Sequence, residues 1–157
     1  MMKLEILNRR DGSESNKKLT KRYSRMQNLL TALEIMELPS NEITSINERI
    51  QLINSLDGTD KELIKILRKT YKNILTLLEE KLGLVTKHHF RALWMVYGML
   101  AATVLSTVFS ISEIMGIGSS AGLWLSIGMF AGIIAGNYFD DQAEKNGKQI
   151  GIVVSGF

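Results

Sequence analysis

The sequence predicts an all-α membrane protein in which a cytoplasmic helical bundle or coiled coil is followed by a two-helix transmembrane hairpin. The chain has 157 residues with 19 Lys+Arg and 16 Asp+Glu, yet the 48 residues from Ala92 to Phe139 hold one charged residue, Glu113. A soluble globular domain spreads its charges along its whole length. Amphipathic segments precede this region, and basic residues flank it on both sides. The absence of Cys excludes disulfides and cysteine chemistry.

The residues before the uncharged region are predicted to form a flexible basic N-terminal arm, 1–18, and a cytoplasmic three-helix segment, 19–91. Apolar residues at three- and four-residue spacing indicate helices over about 19–38, 41–55 and 59–82. Such a segment has a small core, so help from self-association or from a partner is expected.

Local signals define the ends of these helices. Pro39 ends the first helix, and Thr59 with Glu62 three residues later is typical of a capping box at the start of the third. Two continuations are open for the third helix. It stops at Gly83, or it runs on into the membrane as one long rod with a hinge at that glycine.

The region 92–139 is predicted to be a transmembrane hairpin with spans at about 92–112 and 118–139. A helix needs about 20 residues to cross the hydrocarbon core of a bilayer, and each span is long enough. Lys and Arg stand before the first span and after the second but not between them, which places both termini in the cytoplasm. We expect an integral protein of the bacterial inner (cytoplasmic) membrane. The aromatic residues Trp94, Tyr97, Tyr138 and Phe139 all fall at the cytoplasmic interface.

Small residues recur every four positions on both spans and predict close helix packing, because close van der Waals approach drives helix association in lipid. The two stripes either pack on each other within one chain, or at least one of them joins neighbouring subunits. The predicted packing residues are Gly98, Ala102, Ser106 and Ser110 on the first span and Gly128, Gly132 and Gly136 on the second.

Polar residues in the hairpin have two interpretations. The hydroxyls of Thr103, Ser106, Thr107 and Ser110 either bond back to carbonyls of their own helix or line a wetted path in an oligomer. Glu113 is either a solvated loop residue or, in a ring of subunits, part of a carboxylate ring at a pore mouth, a device that favours cations.

A basic cluster near the N-terminus is the strongest electrostatic feature of the sequence. Five basic residues fall within nine positions that contain no acid, and they are predicted to contact anionic lipid, with an ordinary solvated helix start as the alternative. Nucleic acid is a less favoured partner, because no nucleic-acid-binding motif accompanies the charge. The residues are Lys17, Lys18, Lys21, Arg22 and Arg25.

The residues after the second span, 140–157, are predicted to be a cytoplasmic tail. Asp140, Asp141 and Glu144 indicate a solvated helix end, which Gly147 terminates. The apolar stretch from Ile150 onward either pairs as a strand with Lys3–Leu7 or docks on the bundle.

The leading functional expectation is a non-enzymatic, self-assembling two-pass membrane protein that forms a homo-oligomeric pore or ion channel. The alternative is a non-conducting anchor or accessory subunit that recruits a cytoplasmic protein partner. An enzyme is the weakest class, because the sequence lacks a nucleophile–base pair, a metal-ligand cluster and a phosphate loop. We expect no catalytic residues, no metal site and no cofactor.

The ending Gly128-Met-Phe-Ala-Gly132-Ile-Ile-Ala-Gly136, followed by Asp140 and Gly147, resembles that of small uncharacterised bacterial two-helix membrane proteins with glycine zippers. The resemblance covers about 25 residues and implies nothing about activity. The layout of coiled coil, span, short acidic loop and span is also similar to that of the mitochondrial calcium uniporter family. That family's Trp-Asp and Glu-Pro filter motif is absent, so no ion-selectivity residue is implied here.

Overall fold

The computed structural model describes residues 3–112 and 121–153, and this part of the chain folds into five α-helices and two short strands. The all-helical character of the predicted fold is confirmed. The elements are α1 (Lys17–Glu34), α2 (Ser40–Asn54), α3 (Asp60–Leu82), β1 (Val85–Lys87), α4 (His89–Ser112), α5 (Ala121–Lys145) and β2 (Gln149–Val153).

The chain divides into two units. The bundle unit contains the residues up to Val85 together with those from Ile150, and the hairpin unit is Thr86–Gln149. β1 and β2, which stand where the chain passes from one unit to the other, form a two-stranded sheet.

The ends of the bundle helices follow from their local sequence. Asn16 caps α1, because its side-chain oxygen accepts hydrogen bonds from the backbone N–H groups of Lys18 and Leu19. At the start of α3, Thr59 and Glu62 form the reciprocal bonds of the predicted capping box, which is confirmed. Each cap satisfies donors that the first turn of a helix leaves without a partner.

Gly83 ends α3 and decides between the two predicted continuations of that helix. Its φ of 63° is left-handed, a conformation that glycine adopts without the steric cost of a Cβ, and its N–H donates to the carbonyl of Glu79 at 3.0 Å. β1 follows before α4 begins, so the helix stops here and α3 and α4 are separate elements.

Apolar side chains from all three helices meet in the core of the bundle unit. α3 contacts both α1 and α2, as expected for an amphipathic helix whose apolar stripe is its only large hydrophobic surface. The largest fully buried side chains here include Leu19, Met26, Leu29, Leu33, Ile46, Ile50, Leu63, Leu67, Ile74 and Leu78.

The N-terminal segment differs from the predicted flexible arm, because residues 3–8 lie along α2. The side-chain amide of Asn47 accepts from the N–H of Glu5 at 2.8 Å and donates to the carbonyl of Lys3 at 3.0 Å. Asn54 makes the same pair of bonds with Asn8 and Ile6, each at 2.9 Å. Each asparagine side chain therefore bonds to one backbone N–H and one backbone carbonyl of this segment, as the backbone of a neighbouring strand would.

The C-terminal tail also docks on the bundle. Ile150, in β2, is 1% exposed and belongs to the same core cluster as Leu7. Of the two predicted alternatives, docking on the bundle is confirmed, whereas the strand partner of the tail is β1 and not Lys3–Leu7.

Gly147 terminates α5 as predicted. Its φ is 66°, its N–H donates to Glu144, and the following N–H of Lys148 donates to Ala143 at 2.8 Å. These two bonds are the Schellman pattern that commonly ends a helix at glycine.

Candidate membrane hairpin and basic surface

α4 and α5 form an antiparallel pair whose backbones approach closely at glycine. A Cβ added to Gly98 would collide with the backbone of Gly128, and one added to Gly136 would lie 2.8 Å from the backbone nitrogen of Arg91. At Gly132 it would lie 2.9 Å from the Cα of Met95. Hence these four predicted packing glycines lie in the contact between the two helices of one chain.

The remaining predicted packing residues lie on α4. Ala102 is 4% exposed, and its Cβ faces Gly128. Ser106 is buried as well, one helical turn further along. Ser110 belongs to α4, but its side chain lies outside the described residues.

The side chains that point away from this contact are large and apolar. Leu100 is 59% exposed and Ile134 is 71% exposed, each about midway along its helix. Two helical stretches, His89–Val108 and Gly122–Lys145, are long and apolar enough to cross a membrane. An exposed apolar surface of this extent is unfavourable in water. The other exposed large apolar residues of the pair are Leu93, Trp94, Val96, Tyr97, Val104, Leu105, Val108, Leu123, Leu125, Ile127, Phe130, Tyr138 and Phe139.

Three hydroxyl groups of α4 bond back to their own helix. Thr103 Oγ1 donates to the carbonyl of Met99 at 2.9 Å, and Thr107 Oγ1 donates to the carbonyl of Thr103 at 2.9 Å. Ser106 Oγ donates to the same Thr103 carbonyl at 3.0 Å. Such bonds satisfy a hydroxyl in an apolar environment without a second helix.

Asp140 caps α4 from the opposite helix. Its two carboxylate oxygens accept hydrogen bonds from the backbone N–H groups of Phe90 and Arg91, both at 3.0 Å. These are the second and third residues of α4, whose donors normally bond to the side chain at the N-cap. The residue at the N-cap itself is His88, whose φ of 64° makes it the one described non-glycine residue with positive φ.

Asp140 corrects the interpretation of the acidic cluster as a solvated helix end. Asp141 and Glu144 are exposed as predicted, but Asp140 is only 5% exposed. Sequence spacing gives no signal for this role, because Asp140 and Phe90 lie 50 positions apart. Its position directly after the uncharged run was the sole hint that one acid differs from its neighbours.

The predicted aromatic residues gather at the same end of the hairpin as Asp140. The rings of Trp94 and Phe139 stack with centroids 5.2 Å apart and planes 10° apart. Tyr97 and Tyr138 each meet this pair edge to face. The ring centroid of Phe90 lies 6.0 Å from that of Phe139, so Phe90 belongs to the same cluster.

The predicted lipid-contact residues lie on α1 in the bundle unit. Lys17, Lys18 and Lys21 are exposed, whereas Arg22 and Arg25 are half-buried. Burial lowers the pKa of Arg22, and the positive charges of Arg25 and of Arg68 on α3 lower it further. Arg68 has no sequence signal of its own, because residues 26–91 contain nine Lys+Arg and nine Asp+Glu.

The predicted pore-mouth residue, Glu113, lies between the two described ranges. Within those ranges, no group of three or more His, Cys, Asp or Glu side chains is placed to hold a metal ion.

Comparison of the chain with family models, with curated proteins and with solved structures finds no match.

Proposed function

We propose that the protein is a non-enzymatic, two-pass membrane protein whose hairpin closes on itself and anchors a cytoplasmic helical bundle. The observation that carries this proposal is that small and large side chains lie on opposite sides of each helix of the hairpin. The small residues Gly98, Gly128, Gly132 and Gly136 face the opposite helix, and the large apolar residues face outward. In a bilayer the outward side chains contact lipid, and the inward ones allow the close packing that lipid does not otherwise provide.

The ends of the hairpin support this arrangement. The aromatic cluster around Trp94 and Phe139 suits the headgroup region, where amphipathic rings concentrate. Lys87 and Arg91 stand before the first span, and Lys145 and Lys148 stand after the second. These basic residues suit the cytoplasmic face of a bacterial inner membrane, so that both termini lie in the cytoplasm.

Anchoring is the role that this geometry supports best. The glycine face that could have joined subunits is occupied by the other helix of the same chain. Three of the four hydroxyls that could have lined a pore, those of Thr103, Ser106 and Thr107, bond to carbonyls of α4. In this role the membrane places the bundle at the lipid surface, where it recruits a cytoplasmic protein partner.

A homo-oligomeric pore is the second candidate, and one observation favours it. Thr103 and Thr107 are exposed on the outer surface of α4, where a purely lipid-facing helix has no need of hydroxyls. A pore would bring these positions from several chains around one axis, through a contact surface other than the glycine face.

Particle mass and conductance in lipid separate the two roles. An anchor gives one chain for each lipid nanodisc and no current across a planar bilayer. A pore gives several chains for each nanodisc and a current that changes when Glu113→Gln or Thr103→Val is introduced. A current that neither variant alters would contradict the pore as described here.

A further inference from the structure

α1 and α3 lie side by side and point in the same direction. At their N-terminal ends, the amide nitrogen of Asn16 donates to a carboxylate oxygen of Asp60 at 2.9 Å. Further along, Arg25 is close enough to Tyr71 for its charge to act on the pKa of that phenol, against the larger, raising effect of burial. Arg22 is correspondingly near Arg68. Each residue of α1 is thus level with the residue about 45 positions later on α3. The solvent-exposed sides of the two helices therefore form one continuous surface.

Both flanks are basic. Residues 17–33 contain five Lys+Arg and no acid, and residues 63–78 contain four Lys+Arg and no acid. Lys18, Arg22 and Arg25 repeat at four- and three-residue spacing, which keeps them on one face of α1. The same spacing aligns residues 65, 68 and 72 on α3. We call this surface the two-helix basic face, and its members are Lys18, Arg22, Arg25, Lys65, Arg68 and Lys72.

The members of the two-helix basic face are accessible within the bundle unit. Lys18, Lys65, Arg68 and Lys72 are exposed, and the two arginines of α1 are half-buried. The positive charges of Arg25 on α1 and Arg68 on α3 both lower the pKa of Arg22, so the basic residues of the two helices lie close enough for their charges to interact. The cationic side of the bundle therefore extends over two helices, about twice the width that α1 alone provides.

Membrane lipid fits this face better than nucleic acid does. Proteins that bind single strands stack bases on exposed aromatic rings, but the two aromatic residues of these stretches, Tyr23 and Tyr71, are both buried. A broad face of two parallel helices also differs from a single helix that enters a groove of the duplex. A layer of anionic headgroups requires only clustered basic residues near the bilayer surface.

We propose that the two-helix basic face binds the anionic headgroups of a phospholipid membrane surface, with α3 contributing as much as α1. This inference rests on the proposed function, because a membrane anchor keeps the bundle close to such headgroups. It assigns a role to Lys65, Arg68 and Lys72, none of which belongs to a site predicted from the sequence.

The test uses the full chain in nanodiscs of phosphatidylcholine, mixed with vesicles of phosphatidylcholine with or without phosphatidylglycerol. We expect binding only to the vesicles that contain phosphatidylglycerol, and weaker binding as salt rises. The double variant K65Q/R68Q is expected to lower the association constant about 25-fold, or about fivefold for each charge, since one basic residue contributes about 1 kcal/mol at an anionic surface. The α1 variant K18Q/R22Q is expected to give a loss of the same size.

The matched control is K3Q/K81Q, which removes two exposed basic charges elsewhere on the bundle unit and is expected to bind as the original chain does. The proposal is overturned if K65Q/R68Q binds like this control, or if vesicles without phosphatidylglycerol bind equally well. It is also overturned if an oligonucleotide binds more tightly than the vesicles and its binding is the one that K65Q/R68Q weakens. A chain that fails to enter nanodiscs, yet binds the vesicles through α3, refutes the anchor and supports the basic face.

Discussion

At the scale of single residues, the structure depends on side chains that satisfy helix ends. Asp140 is buried and accepts two backbone N–H groups at the start of α4, which ties that helix to α5. Because the residue at the N-cap, His88, has a left-handed backbone, the cap comes from the opposite helix instead of from the usual position. The hairpin is thus closed by a charge-assisted contact at one end as well as by glycine packing along its length.

Replacing this cap tests its contribution to the hairpin. Asp140→Ala leaves the N–H groups of Phe90 and Arg91 without their acceptor, which is expected to lower the free energy of unfolding by about 1–3 kcal/mol. Titration with a denaturing detergent, with circular dichroism as the signal, measures the loss in free energy of unfolding. The exposed neighbour provides the control, since Asp141→Ala is expected to change stability by less than about 0.5 kcal/mol. Equal effects for the two variants would contradict the cap.

The capping box of α3 predicts a pH dependence. Hydrogen bonds from the backbone N–H and hydroxyl of Thr59 lower the pKa of Glu62 below its usual value of 4.5. The ionised carboxylate therefore stabilises the folded chain above pH 4.5, and this contribution disappears as the pH falls through the lowered pKa. Thermal unfolding at neutral and at acidic pH should show a smaller acid-induced loss for Glu62→Gln than for the original chain. With Thr59→Ala already present, Glu62→Gln should still reduce the acid-induced loss but by a smaller amount, because the backbone N–H of residue 59 continues to donate to Glu62 at 2.8 Å.

At the scale of the elements, each unit is held by contacts between segments far apart in the sequence. α4 and α5 approach through Gly98, Gly132 and their partners, and residues 3–8 lie along α2 through Asn47 and Asn54. Three residue-to-residue steps of extended chain span about 10 Å, as do the seven helical steps from Asn47 to Asn54, so the amide pairs match in spacing.

The glycine contact is tested by a pair of alanine substitutions on α5. A Cβ at Gly132 would lie 2.8 Å from the carbonyl carbon of Trp94, so Gly132→Ala is expected to push the helices apart and to cost about 1–3 kcal/mol. Gly122 has no atom within 4 Å of the same added Cβ. Gly122→Ala is therefore expected to be neutral or slightly stabilising, because alanine favours helix. Denaturing-detergent titration and tryptophan fluorescence follow both variants, and a greater loss at Gly122 would contradict the packing.

Docking of the N-terminal segment is tested at two adjacent residues. Leu7 is 6% exposed in the core of the bundle unit, whereas Ile6 is 77% exposed. Leu7→Ala is expected to destabilise the bundle by about 2–3 kcal/mol, and Ile6→Ala by less than about 0.5 kcal/mol. Thermal unfolding of the full chain in detergent measures both. If the two variants have the same melting temperature, the segment does not dock as described.

These elements show what the sequence could predict. Helices α2 and α3 were predicted to within one residue at each end, because their apolar periodicity and their caps are local signals. The first helix was predicted to end at Pro39, but α1 ends at Glu34, and Pro39 is instead the N-cap residue of α2. α4 begins before the first predicted span, at His89, and α5 ends after the second, at Lys145, because an uncharged run marks the extent of hydrocarbon and not that of the helix. Docking of residues 3–8, pairing of β1 with β2 and the role of Asp140 depend on contacts across 42 or more positions, which local spacing does not encode.

At the scale of the whole molecule, the two units expose surfaces of different chemistry. The hairpin unit presents exposed apolar side chains around a contact of small residues, and the bundle unit presents a broad basic face on α1 and α3. The modest formal charge of +3 conceals this arrangement, because all charged residues except Glu113 lie outside the 48 residues from Ala92 to Phe139. The apolar surface suits contact with lipid tails, and the basic face suits contact with anionic headgroups, as the two proposals require.

The central claim, that the hairpin crosses a membrane twice, is tested most directly by cysteine accessibility. The chain has no cysteine of its own, so single cysteines at Glu14, Gly118 and Glu144 report each position separately. In intact bacterial cells, a membrane-impermeant thiol reagent is expected to label only the cysteine at position 118, and the other two after the cells are opened. Labelling of all three positions in intact cells, or of none of them until the cells are opened, would contradict the two-pass hairpin.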